Sequence, residues 1–147
     1  MFERIVIGYD GSNGAERALG KAIELAKLCN AHLMILTVYR HHSMLEASVS
    51  MVRGKLDPGG NLDEQMREAA REAAEQGKQT ALAAGVGKVS AFIKSGPPAR
   101  TLVAFAKKRD CDLIVVGSRG MGATESYLLG SVSHKVTGLA EMPVLVF

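Results

Sequence analysis

Tryptophan is missing from these 147 residues, and aromatic rings of any kind are few, at three Tyr and four Phe. A chain that grips single-stranded nucleic acid needs ring faces on which bases can stack, interleaved with cations. The 18 Lys and Arg outnumber the 15 Asp and Glu by only three, and they are spread along the chain instead of gathered in a block. Nucleic acid is therefore not an expected partner. No apolar run approaches the roughly 20 residues that span a bilayer, so the chain reads as soluble, with no membrane partner. The opening MFERIVIGYDG lacks a basic segment followed by a long apolar core and a small-residue cleavage site, which makes the cytoplasm the expected compartment. Cysteine is scarce as well. Cys29 and Cys111 stand too far apart for a Cys-x-x-Cys pair and are too few for a disulfide framework, so both read as small buried hydrophobes.

What remains is the composition of an ordinary globular protein, 47% hydrophobic and 22% charged, at a length that suits one core and so one domain over residues 1–147. Strand-like and helix-like patterns alternate from end to end, which predicts a parallel sheet covered by helices on both faces. The first strand is expected over residues 4–9, where Ile5-Val6-Ile7 is a β-branched run typical of burial on both sides. Ser12 or Asn13 caps the next helix, whose Ala15, Ala18, Leu19, Ala22, Ile23 and Ala26 recur at helical spacing. A second strand is read over residues 32–38, followed by a mixed insertion over 39–60. From Leu62 a long amphipathic helix carries Met66, Ala69, Ala73, Thr80 and Ala84 as its apolar stripe. The third strand spans residues 89–94, and Gly96-Pro97-Pro98 leads from it into a helix closed by Lys107, Lys108 and Arg109, where cations complement the dipole. Leu113-Ile114-Val115-Val116 is the clearest buried strand. A glycine-rich loop over 118–129, a helix from Gly130-Ser131 to about Ala140 and a last strand from Val144 to Phe147 complete five strands and four helices.

The chemistry gathers at Gly117, Gly120 and Gly130-Ser131, which read Gly-x2-Gly-x9-Gly-Ser. Gly117 ends a central strand, where a missing Cβ lets a ligand lie against the backbone, and Gly120 and Gly122 let the loop turn. Gly130 and Ser131 open a helix whose unpaired N–H groups and positive dipole end favour a phosphate. The hydroxyls of Ser131 and Ser133 add donors, and Arg119 offers a planar fork to a terminal phosphate. In doubly wound sheets ligands lie beyond the carboxyl ends of the strands where strand order reverses. That rule places Asp10 beside ribose hydroxyls or a phosphate-bridging metal, and Val38 beside an adenine edge. Other nucleotide motifs fail: Gly14 to Gly20-Lys21 has the wrong spacing for a P-loop, and Gly8-Tyr9-Asp10-Gly11 lacks a Gly-x-Gly.

With IVIGYDGS, Gly96-Pro97-Pro98, DLIVVGSRGMG and LLGSVSHKV leading into MPVLVF, nearly the whole chain resembles the universal stress protein family. The loop resembles that family's nucleotide-binding branch. The resemblance implies a Rossmann-like, adenine nucleotide alpha hydrolase-like fold with strand order 3-2-1-4-5. It also implies ATP, or ADP or a related adenine nucleotide, with Mg2+ or Mn2+ held through the phosphates, in a pocket lined by Asp10, Val38, Gly117, Arg119, Gly120, Gly130, Ser131, Val132 and Ser133. A homodimer through antiparallel pairing of the strand from Val144 to Phe147 follows too, and would cover an apolar sheet edge. Tyr9 departs from the smaller residue or proline often found before the aspartate.

The function implied is a regulatory or stress-response module that binds ATP with little or no turnover, its occupied loop being read by a signalling partner. The alternative is a slow ATP hydrolase or phosphotransferase in the same pocket. That enzyme needs a base or water-positioning group, for which only His134 stands nearby, and His134 reads as a surface residue. A metal site at His41-His42 with His32 is disfavoured, because adjacent histidines point apart in extended chain.

Overall fold

The β-branched runs form five strands: β1 (Arg4–Gly8), β2 (His32–Tyr39), β3 (Lys88–Ser95), β4 (Leu113–Val116) and β5 (Val144–Val146). Four helices join them among the residues that the computed structural model describes, which are 1–40, 62–118 and 129–147. They are α1 (Asn13–Cys29), α2 (Leu62–Ala83), α3 (Pro98–Lys108) and α4 (Ser131–Leu139). Every strand pairing is parallel and the order is β3-β2-β1-β4-β5, as the resemblance implied. Most of the 39–60 insertion, with His41 and His42, lies outside the described residues. None of the described helices is long and apolar enough to cross a membrane.

The two-residue period of the strands distributes their side chains between two helix layers. Ile5, Ile7, Leu33, Ile35, Leu113 and Val115 pack with α1 and α2, whereas Val6, Met34, Leu36, Ile114 and Val116 pack with α3 and α4. Each fully buried Val, Leu or Ile contributes about 1.5–3 kcal/mol by leaving water, so the central strands anchor the fold. Ser12 caps α1 by accepting from the Ala15 N–H at 3.1 Å. Asn30, in the left-handed region at φ 54°, ends that helix and returns its N–H to Ala26 and Lys27. Both cysteines are free, Cys111 buried and Cys29 half-buried, and burial pushes the Cys111 thiol up to about 11. A thiol so placed stays protonated and inert at neutral pH.

Helix α2 corrects one expectation. Its buried stripe is Ala70, Ala74, Gly77 and Ala81, while Ala69, Thr80 and Ala84 are exposed and Ala73 is half-buried. The alanine pairs at 69–70 and 73–74 offer two stripes of equal spacing, and contacts remote in sequence choose between them. A Cβ on Gly77 would lie 3.3 Å from the Tyr9 ring and 3.4 Å from Ile35 Cδ1, so α2 turns its smallest residues to that crowded spot. Ala74→Leu is accordingly expected to cost about 1–3 kcal/mol by overpacking, and Ala69→Leu less than about 0.5 kcal/mol. Urea unfolding of both variants checks this, and equal costs would return the helix to the other face.

Candidate nucleotide site

From the central strand β1 the chain winds outward to β2 and β3, then crosses back to β4 and β5. The crevice at such a reversal is where α/β sheets leave room for a ligand, because the connections on either side run in opposite directions. A cavity of about 480 Å³ opens there. Its walls include Gly8, Tyr9 and Asp10 from the end of β1, Leu36, Val38 and Arg40 from β2 and beyond, Pro98 and Leu102 from α3, Val116 and Gly117 from β4, and residues 130–133 at the start of α4.

On the β2 side the ladder stops early in a useful way. Tyr9 donates its N–H to the Leu36 carbonyl at 2.9 Å, which fixes Leu36 as a residue whose backbone groups face β1. Backbone groups in a parallel strand alternate sides, so those of Val38 face the same way. The next rung would run from the Val38 N–H to the Tyr9 carbonyl. That carbonyl instead accepts from the buried Thr37 hydroxyl at 2.7 Å. Among the described residues the Val38 N–H and C=O therefore have no ladder partner on the cavity side, which leaves one donor and one acceptor facing it.

Opposite that edge, α4 begins at Gly130, an N-cap with φ −64° and ψ 163° and no side chain to occupy the helix end. The N–H groups of a first turn have no acceptor within their own helix and carry the positive end of its dipole. Gly130 donates to the Ser118 carbonyl at 2.6 Å, and the Ser133 hydroxyl lies 2.9 Å from the same oxygen and 3.1 Å from the Gly130 carbonyl. The two ends of the glycine-rich loop are thus tied together across the start of α4. In this arrangement the single hydroxyl proton of Ser133, which is 2% exposed, holds the loop, and Ser131 and Val132 present the exposed part of the turn.

Gly117 has a structural task that its neighbours in sequence do not suggest. A Cβ there would meet the carbonyl carbon and oxygen of Gly14 at 2.9 Å and the Ala15 nitrogen at 3.3 Å, all backbone atoms of α1. The missing side chain lets the end of β4 lie against the start of α1, instead of making room only for a ligand. Asp10 is exposed, and its Oδ1 accepts from the Ser12 N–H at 2.9 Å, while Oδ2 has no partner among the described residues. Tyr9 is 3% exposed and its hydroxyl meets Glu16. Burial first, and then the Glu16 carboxylate, push that phenol well above its usual value, so it remains neutral.

Of the residues singled out in the sequence, Asp10, Val38, Gly117, Gly130, Ser131, Val132 and Ser133 line the one cavity. Arg119, Gly120 and Gly122 lie outside the described residues. His134 is exposed and does not line it. Asp10 is the single carboxylate among the described lining residues, and no group of three His, Cys, Asp or Glu among the described residues could hold a metal ion. A cation would thus fit here only with ligands brought by the phosphates. Sequence reading missed Arg40, the single cation among the described lining residues. Strand parity carries the signal, since positions 36, 38 and 40 share a side.

The sequence matches the model of the universal stress protein family over residues 1–147. Universal stress protein YxiE of Bacillus subtilis is 36% identical over 149 residues, with 99% of each chain covered. Among solved structures, universal stress protein UspA from Lactobacillus plantarum gives a TM-score of 0.81 at 24% identity over 99% of this chain and 97% of that one, a likeness of fold. A universal stress protein solved in complex with cAMP gives a TM-score of 0.73 at 28% identity over 99% and 97% of the two chains.

Proposed function

The chain belongs to the universal stress protein family, and we propose that it is a binding module for ATP, ADP or a related adenine nucleotide, with little or no turnover. The observation that carries this reading is the pairing, across one cavity, of the unladdered Val38 edge with the open N-terminus of α4. The first suits an adenine edge and the second a phosphate chain. A family member with 28% identity is described in complex with cAMP, another adenine nucleotide. In this pose Leu36, Leu102 and Val116 give the base an apolar bed, and Arg40 adds a positive charge to the cavity wall. Mg2+ or Mn2+ would neutralise charge on the phosphates. Asp10, with one oxygen engaged in its turn, offers the other to that cation or to a ribose hydroxyl.

Hydrolysis needs a group that orients or deprotonates water beside the terminal phosphate. Among the described lining residues Asp10 is the only carboxylate, and one of its oxygens is already engaged by the Ser12 N–H. Retention of the nucleotide and recognition of the occupied site by a signalling partner are therefore the proposed working cycle. A homodimer through β5 and Phe147 fits the half-exposed apolar edge of Val144, Leu145 and Val146. Incubating the protein with ATP, removing free nucleotide by gel filtration and identifying by mass what the denatured protein releases over hours tests the module directly. Bound, intact ATP is the expected result; rapid conversion to ADP would favour the hydrolase, and no retained nucleotide would remove the reading altogether.

A further inference from the structure

A second cavity, of about 350 Å³, shares no lining residue with the first. It is bounded by Lys94 at the carboxyl end of the edge strand β3 and by Arg100, Thr101, Ala104, Phe105, Lys108 and Arg109 on and after α3. Four of these seven side chains are cations, and no carboxylate is among them. From this arrangement we propose that the cavity is a second binding site, for a small polyanion carrying linked phosphate groups.

Helical spacing explains how the charges converge. Arg100, Ala104 and Lys108 follow one another at intervals of four and so lie on one stripe, with a cation about one turn, or roughly 6 Å, to either side of Ala104. The small Ala104 side chain leaves the space between them open, and Lys94 reaches it from the strand. At the amino end of the sheet Arg109 supplies a donor fork that is already held in place. Its guanidinium lies 4.6 Å from the centroid of Phe92 and 5.5 Å from that of Phe105, and its carbonyl accepts from Arg4 Nη1 at 2.8 Å. The attraction of a guanidinium to a ring face does not use up its N–H donors, which stay available to a phosphate.

None of these cations is neutralised among the described residues. The nearby ion pair, Lys107 with Glu141 at 3.7 Å, engages a lysine that does not line the cavity. The Asp112 carboxylate is occupied by the N–H groups of Glu3 and Arg4. A volume near the small end of ligand pockets suits a compact molecule and not a folded partner or a helix. The exposed ammonium and guanidinium heads gain little from one charge but add up over several linked ones.

Inorganic tripolyphosphate is the probe, titrated into the full chain by calorimetry at about 50 mM salt and again at about 200 mM, where screening shortens the reach of exposed charges. Amide NMR of the same titration locates the site. Expected are shifts centred on Thr101, Ala104, Phe105 and Arg109, binding that weakens with salt, and a loss of about tenfold or more in Arg100→Glu/Lys108→Glu. Both substitutions fall on exposed helix positions and exchange good helix formers, so the fold should persist, as circular dichroism checks. Gly130→Val should leave this group of shifts unchanged, which separates the site from the nucleotide cavity. Shifts confined to 117–133, or undiminished affinity in the folded charge-reversal variant, would overturn the proposal.

Discussion

Gly130→Val is expected to abolish ATP retention while leaving the fold intact. The backbone at this N-cap, φ −64° and ψ 163°, is extended and open to any L-residue, so valine introduces no backbone strain. Its two methyls would instead stand before the first N–H groups of α4, in the space a phosphate must enter. Losing two or more charge-assisted hydrogen bonds there should weaken binding by about 3 kcal/mol, or roughly two orders of magnitude in Kd. Calorimetry with ATP gives the affinity, and a thermal melt within about 2 °C of the parent shows that the scaffold survives. Parental affinity in the variant would move the phosphates away from α4.

Gly117→Ala should do the reverse, harming the fold before the ligand. The added methyl would meet backbone atoms of Gly14 at 2.9 Å, and backbone cannot swing aside as a side-chain end can. Either the start of α1 or the end of β4 must move, at an expected cost of about 1–3 kcal/mol. Gly8→Ala provides the contrast, because its Cβ would meet side-chain ends alone, the nearest being Leu102 Cδ2 at 3.0 Å, and a small side-chain shift can relieve that contact. Urea midpoints of the two variants should differ clearly, with Gly117→Ala the lower. Equal midpoints would show that the junction of α1 with β4 tolerates an extra methyl and that Gly117 serves the ligand alone.

Local signals explain most of what was legible beforehand. Ile5-Val6-Ile7 and Leu113-Ile114-Val115-Val116 announce buried strands by composition, and the stripe from Ala15 to Ala26 announces the inner face of α1. The glycine-rich loop and its following serine marked one wall of the site for the same reason: their meaning lies in backbone freedom and helix-end chemistry that short motifs encode. What was illegible depends on neighbours distant in the chain. Paired alanines left α2 with two equivalent faces until Tyr9 and Ile35 chose one. Gly117 looked like a ligand glycine because its close contact, Gly14, lies about a hundred positions earlier. Thr37 reads as one polar residue in a strand, and only the parallel register shows that its hydroxyl takes the carbonyl that would otherwise close the Val38 edge. The cations ending α3 read as partners of its dipole, and only the approach of β3 turns two of them, Lys108 and Arg109, together with Lys94 into the lining of a cavity.

The most direct measurement is a crystal structure of the protein grown or soaked with millimolar ATP. The adenine ring is expected on the Val38 backbone edge and the phosphate chain against the amides that open α4. Nucleotide density at any other place, or a crevice filled by the protein's own side chains at saturating ATP, would contradict it.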